Sequence, residues 1–286
     1  MYKYLGKSLD GFQGAMQMLF HDKGYGEVKD IDCIALRNCS MEIQDNMSFW
    51  FSPLVKTEEA INNLKNLLEI KDYIKVKKIT NDNIDDVLTF DNQPFVLGPI
   101  NKKRLYNKVD TQFYDGNRHY VYCFLVGKDR IIHEPDGVPY MMIGENEILN
   151  FLKDRNNIYK INLEVGGSIK QPTKLEILKR WIIRKRELDK HPHNALNFDF
   201  NKITRMSSSN ELQRQYALQN YMIQTYKLIN LLDKNTSITR EDVFHELAER
   251  ISQIAISGEM EMLSHVIGQV DQMIVKAVLE EIDYEI

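Results

Sequence analysis

His119, Glu134, Asp136 and Cys33 are the residues of this 286-residue chain whose types and order suit nucleophilic chemistry. A thiol becomes a nucleophile when an imidazole takes its proton. The imidazole keeps its tautomer and tolerates its charge when a carboxylate stands beside it. His119 opens a β-branched and aromatic run, Tyr120-Val121-Tyr122-Cys123-Phe124-Leu125-Val126, that reads as a strand. Gly127-Lys128-Asp129 supplies a turn, and Arg130 to His133 begins the return strand. With Lys128 and Asp129 as a two-residue loop, Val138 stands opposite His119, Asp136 opposite Val121 and Glu134 opposite Cys123. Cross-strand partners point to one side of a sheet, so His119, Asp136 and Glu134 share a face. This register puts Asp136 diagonally nearer His119, and either acid could serve it.

The thiol comes from Asp30-Ile31-Asp32-Cys33, after which Ile34 to Cys39 could wind as a helix with Cys33 in its first turn. A helix N-terminus presents unbonded N–H groups and the positive end of a dipole, both of which favour thiolate. The competing use of a free cysteine is as a small buried hydrophobe, and Cys39 and Cys123 read that way. For an acid in Pro135-Asp136-Gly137, the competing use is as an ordinary turn residue.

Composition narrows the field. With 43% hydrophobic and 27% charged residues the chain can build a sizeable core. A formal net charge of -4 argues against bulk nucleic-acid affinity. No apolar run approaches the roughly 18 residues of a membrane span. The first residues carry no signal-like apolar core, so a cytoplasmic location is expected. Three cysteines, an odd number, do not suggest a disulfide framework. His191-Pro192-His193 is a loop pair with no neighbouring cysteine, and no metal is expected.

The positioning elements follow from periodicity. Phe12, Met16, Leu19 and Phe20 recur at helical spacing between Leu9 and Phe20. Ser48 to Val55 reads as a strand or aromatic loop, Thr57 to Glu69 as an amphipathic helix, Tyr73 to Ile79 as a strand, Asn81 to Leu88 as a helix or turn, and Gln93 to Gly98 as an apolar strand. After the hairpin come a helix over Glu145 to Lys153 and a closing strand over Ile158 to Val165. Gly166-Gly167-Ser168 reads as a linker, which divides a domain at 1–166 from a helical domain at 167–286. In the latter, helices are expected over Thr173 to Asp189, from Ser208 to about Leu232, from Thr239, and through Met262 to Ala277.

The order of thiol, then imidazole, then a carboxylate on the next strand resembles papain-like proteins, and within them the bacterial C39-like branch. The residues that carry the likeness are Pro94-Phe95-Val96-Leu97-Gly98, Arg104-Leu105-Tyr106, His119-Tyr120-Val121 and Glu134-Pro135. In that branch the chain looks most like acyltransferases of the butirosin H type. The likeness implies an α+β papain-like domain, with an antiparallel sheet and a nucleophile-bearing helix, followed by an all-helical domain. It implies Glu134 as the acid through the acid-Pro dipeptide. It also implies an acyl group taken from a carrier-protein thioester through an acyl-cysteine and passed to a small amine, as in natural-product biosynthesis. The phosphopantetheine would belong to the acyl carrier protein, and the chain itself would hold no cofactor. An acidic carrier would suit the cationic residues Lys174, Lys179, Arg180, Arg184, Lys185, Arg186 and Lys190.

Two departures bear on the reaction. Glu27 to Asp32 offers no glutamine to serve an oxyanion, and Ile34 follows Cys33 where C39 peptidases commonly have glycine. A thioester releases its thiolate far more readily than a peptide releases its amine, so amide-forming acyl transfer is favoured over peptidase or amidase action. A reading from another class is a catalytically silent papain-like fold that works as a binding module.

Overall fold

A computed structural model describes residues 11–37, 41–43, 49–51, 55–80, 83–85, 93–101, 118–135, 140–152, 157–165, 168–190, 222–232, 246, 249–253, 257 and 260–284. They form a mixed α/β structure with a six-stranded antiparallel sheet and several helices. The chain divides into two compact units. One takes Met1–Ala35 and Thr57–Gln171, the other Leu36–Lys56 and Pro172–Ile286.

The first unit begins with α1 (Gly11–Asp22), whose Phe12, Ala15, Met16, Leu19 and Phe20 are fully buried. That spacing places one continuous apolar stripe on the sheet side of the helix. Gly24, at φ 80°, ends it: its N–H bonds the His21 carbonyl, Tyr25 N–H bonds the Phe20 carbonyl, and the Tyr25 and Phe20 rings meet edge to face. A left-handed residue just past a helix, with an apolar contact across it, satisfies carbonyls that would otherwise be orphaned. The Gln17 side chain then pins the following loop, accepting from Val28 N–H and donating to the Gly26 carbonyl.

α2 (Ile31–Ile34) is a single turn, entered through Asp30 at φ 53° and left before Leu36 at φ 56°. This corrects the expected helix over Ile34 to Cys39: the helix lies earlier and is four residues long, because the left-handed Leu36 breaks it. α3 (Thr57–Leu67) follows, and α2 packs against both α1 and α3.

The sheet comprises β3 (Ile74–Lys78), β4 (Phe95–Asn101), β5 (Arg118–Val126), β6 (Asp129–His133), β7 (Met141–Met142) and β8 (Tyr159–Leu163), in the order β3-β8-β4-β5-β6-β7. β1 (Met41–Ile43) and β2 (Phe49–Phe51) pair separately in the second unit. One sheet face buries Phe95, Leu97, Val121, Cys123 and Ile132 against Ile148 of α4 (Glu145–Phe151) and against Leu152. Cys123 is sealed in this layer. Burial pushes its thiol far above the ordinary range, and nearby Lys160 offsets only part of that. The other face receives α1, with the Phe12 ring meeting Tyr120 edge to face at 5.0 Å.

Two local features set the geometry of β5. Leu97 pairs with Val121 but Ile100 pairs with His119, so Gly98 and Pro99 together oppose Tyr120 in a bulge. The hairpin turn is Gly127-Lys128, since Val126 pairs with Asp129 and Gly127 takes φ 63°. The expected loop of Lys128 and Asp129 is therefore one residue late. Glycine is the residue that enters a two-residue hairpin turn with positive φ at no steric cost, and it draws the turn to itself.

In the second unit, α5 (Lys174–Lys190) starts with a reciprocal cap: Thr173 Oγ1 accepts from Glu176 N–H while Glu176 accepts from Thr173 N–H. α6 (Met260–Tyr284) buries Val266, Val270, Ile274 and Ala277 at helical spacing, and its Asp271 meets Lys185 of α5 at 3.2 Å. Residues 222–229 form a further helical stretch. No helix among the described residues is long and apolar enough to cross a membrane. The proposed helix starts at Ser208 and Thr239, and the linker glycines 166 and 167, lie outside the described residues.

Candidate active site

His119 stands near the start of β5 and Glu134 directly after β6. Tyr122 pairs with His133 and Cys123 with Ile132, so the hairpin register runs two residues from the expected one. A shift of two preserves the face of every side chain. Continued by one step, it sets Glu134 across from Val121, the diagonal place expected for Asp136. Glu134 accordingly meets the imidazole, with Oε1 3.3 Å from His119 Nδ1. Glu134 is wholly buried and the His119 side chain 6% exposed, so the pair is cut off from water. Asp136 lies outside the described residues, as does Cys39.

Cys33 is the third residue of the one-turn α2, is 1% exposed, and belongs to an element packed on α1 and α3. Four residues align few peptide dipoles, so the field that motivated a thiolate there is small. What α1 brings to the imidazole is Gly11, its first residue: a Cβ built on Gly11 would stand 3.3 Å from His119 Nδ1. Residue chemistry had no means of flagging this position, because glycine has no functional group. The signal available was topological, namely the head of the first amphipathic helix.

A hydroxyl cluster adjoins the pair on the Tyr120 side. Tyr120 and Thr57, at the head of α3, share a 2.6 Å hydrogen bond between hydroxyl oxygens. Tyr159, which pairs with Gly98, is pushed up to about 12, first by burial and then by the Glu58 carboxylate that its hydroxyl also bonds. The unfolded chain gives up this proton near the ordinary tyrosine value of 10.0 while the folded chain still holds it. Folding stability therefore falls as pH rises through the window from 10.0 to about 12. Tyr159→Phe is expected to flatten that decline in urea midpoints measured across the window; an unchanged slope would assign the decline to other groups.

Among the described residues, no three His, Cys, Asp or Glu side chains gather to hold a metal. His119 and Glu134 offer a buried imidazole with a carboxylate beside it, suited to proton transfer or to holding a polar group. No family model matches the chain, and no curated protein matches it.

Proposed function

We propose that the chain is a papain-like module that keeps the imidazole–carboxylate half of a triad and acts by binding rather than by cysteine catalysis. The observation that carries this reading is the placement of Cys33, 1% exposed on a four-residue helix. A thiol activated by a helix head and an imidazole is accessible to its electrophile, whereas a thiol packed among apolar side chains is inert. The partner that suits the second unit is an acidic carrier protein. Lys174, Lys179 and Arg186 are exposed on α5 and free to meet such a surface through charge steering. Arg184 and Lys185 are engaged within the unit, by Glu187 at 3.1 Å and by Asp271 at 3.2 Å.

Iodoacetamide labelling against pH, followed by peptide mapping, tests the reading. Cys33 is expected to react slowly, no faster than Cys123, with no acceleration below neutral pH. Selective labelling of Cys33 under mildly acidic conditions would replace the binding module by an enzyme.

The second reading, amide-forming acyl transfer, is favoured by the His119–Glu134 contact itself. There His119 takes the Cys33 proton, and the thiolate attacks a carrier-bound thioester. The phosphopantetheine thiol departs with a proton from the imidazolium. An amine then displaces the acyl group as an amide and restores the thiol. Intact mass after mixing with an acylated carrier protein separates the two: an acyl adduct lost on Cys33→Ala belongs only to the enzyme.

A further inference from the structure

α5 buries one side of its surface, where Ile177, Leu178, Trp181 and Ile182 lie, and packs on α6. At about 100° per residue, Ile183 stands roughly half a turn round the helix from the middle of that stripe, and it is 58% exposed. Neither packing nor helix formation accounts for it. An exposed side chain gains little from burial, and a β-branched residue forms helix less well than lysine, arginine or glutamate. A lone exposed isoleucine would be ordinary. Its neighbours make the difference.

Residues three and four positions away share a helix face. For Ile183 these are Lys179, Arg180, Arg186 and Glu187, all of them exposed. Three are cations, and the one acid is turned to Arg184, which it meets at 3.1 Å. The face is therefore an apolar spot within a cationic ring. Its complement is an apolar side chain set among carboxylates, the pattern of an acidic amphipathic helix. A membrane surface fits less well, because an interfacial helix sinks a broad apolar face into the lipid and on α5 that face is already buried. Nucleic acid also fits less well, since a chain of net charge -4 lacks a general surplus of cations and the spot offers no aromatic ring to a base.

We propose that Ile183, with Lys179, Arg180 and Arg186 around it, is the anchor of a docking face for an acidic amphipathic helix of a partner protein. This deepens the reading of an acidic partner for the second unit and rests on it. It adds where that partner binds and what it presents, an apolar side chain flanked by glutamates or aspartates.

The test uses the full chain and two fluorescent helical peptides, read by anisotropy. One carries a leucine flanked by glutamate three and four positions away on both sides, and the other has lysine in those places. The acidic peptide is expected to bind, less tightly as salt rises, and the basic one is not. Ile183→Ser, which removes the anchor and adds no charge, is expected to weaken binding of the acidic peptide at least about tenfold. Lys179→Glu/Arg186→Glu is expected to weaken it similarly and to gain binding of the basic peptide. Lys174→Glu lies outside the ring and is expected to change affinity by less than about threefold, the share of general charge attraction. Circular dichroism checks the fold of each variant, and should one fail, the other still decides. Binding indifferent to Ile183→Ser, or lost equally on Lys174→Glu, overturns the proposal. So does binding to phosphatidylglycerol vesicles or single-stranded DNA that these variants abolish while the peptide stays unbound. An acidic acyl carrier protein separates the two levels: if it binds and the ring variants leave its affinity unchanged, this face alone fails. If neither it nor the acidic peptide binds, the acidic-partner reading fails too.

Discussion

Gly98→Ala is expected to destabilise the first unit by about 3 kcal/mol, the upper part of the usual range for forcing extra atoms into a filled core. The added Cβ would meet Cδ1 of Tyr120 at 2.6 Å, Cγ of the same ring at 2.8 Å and the His119 carbonyl oxygen at 2.8 Å. None of these can step aside cheaply. The carbonyl belongs to the strand backbone, and the ring is held by Phe12 on one side and by the hydroxyl of Thr57 at its tip. The bulge would have to open, and β5 would move with it at the point that carries His119. Urea unfolding reads the effect as a lowered midpoint at constant slope. A midpoint within about 0.5 kcal/mol of the natural chain, the scatter of an innocuous surface change, would mean that the sheet absorbs the methyl group.

Glu134→Ala is the second large effect, also expected at about 3 kcal/mol, the upper part of the cost of leaving a buried polar group without its hydrogen-bonding partner. The carboxylate is wholly buried and His119 nearly so, and neither can turn to water for a substitute. Glu134→Gln keeps the size and a hydrogen-bonding oxygen, so its cost is expected near about 1 kcal/mol. A cycle combining Glu134→Ala with His119→Ala isolates the contact, and a coupling of at least about 1 kcal/mol is expected for groups in direct contact. Additive losses would show that each residue is held by other neighbours and that the pair is an accident of packing.

These two experiments address the parts of the site that were unequally visible beforehand. His119 and Glu134 were recognisable as partners because strand alternation has a period of two, and an error of two residues in register leaves every face unchanged. Which carboxylate meets the imidazole depended on that register, and so on Gly127 rather than Lys128 opening the turn. The helix that carries Cys33 differs from expectation in extent alone: the residues after the thiol suggest a helix to Cys39, whereas the turn runs from Ile31 to Ile34 and stops short of the left-handed Leu36. Gly98 reads in the sequence as the end of an apolar strand, whereas β4 continues through it to Asn101 and the missing side chain makes room for a tyrosine ring.

Taken by itself, the order of amino acids determined what repeats over short distances: the buried stripe of α1, the two strands of the hairpin, and the shared face of His119 and Glu134. Tertiary structure alone decided which distant groups touch: Gly11 against His119, Tyr120 against Gly98 and Thr57, and Cys33 packed away in a single turn. The division is physical. Periodicity and capping are satisfied among residues a few positions apart, so they are written locally. A contact between positions 11 and 119 exists only because α1 docks its apolar stripe on β5, and that docking is set by the whole packed layer.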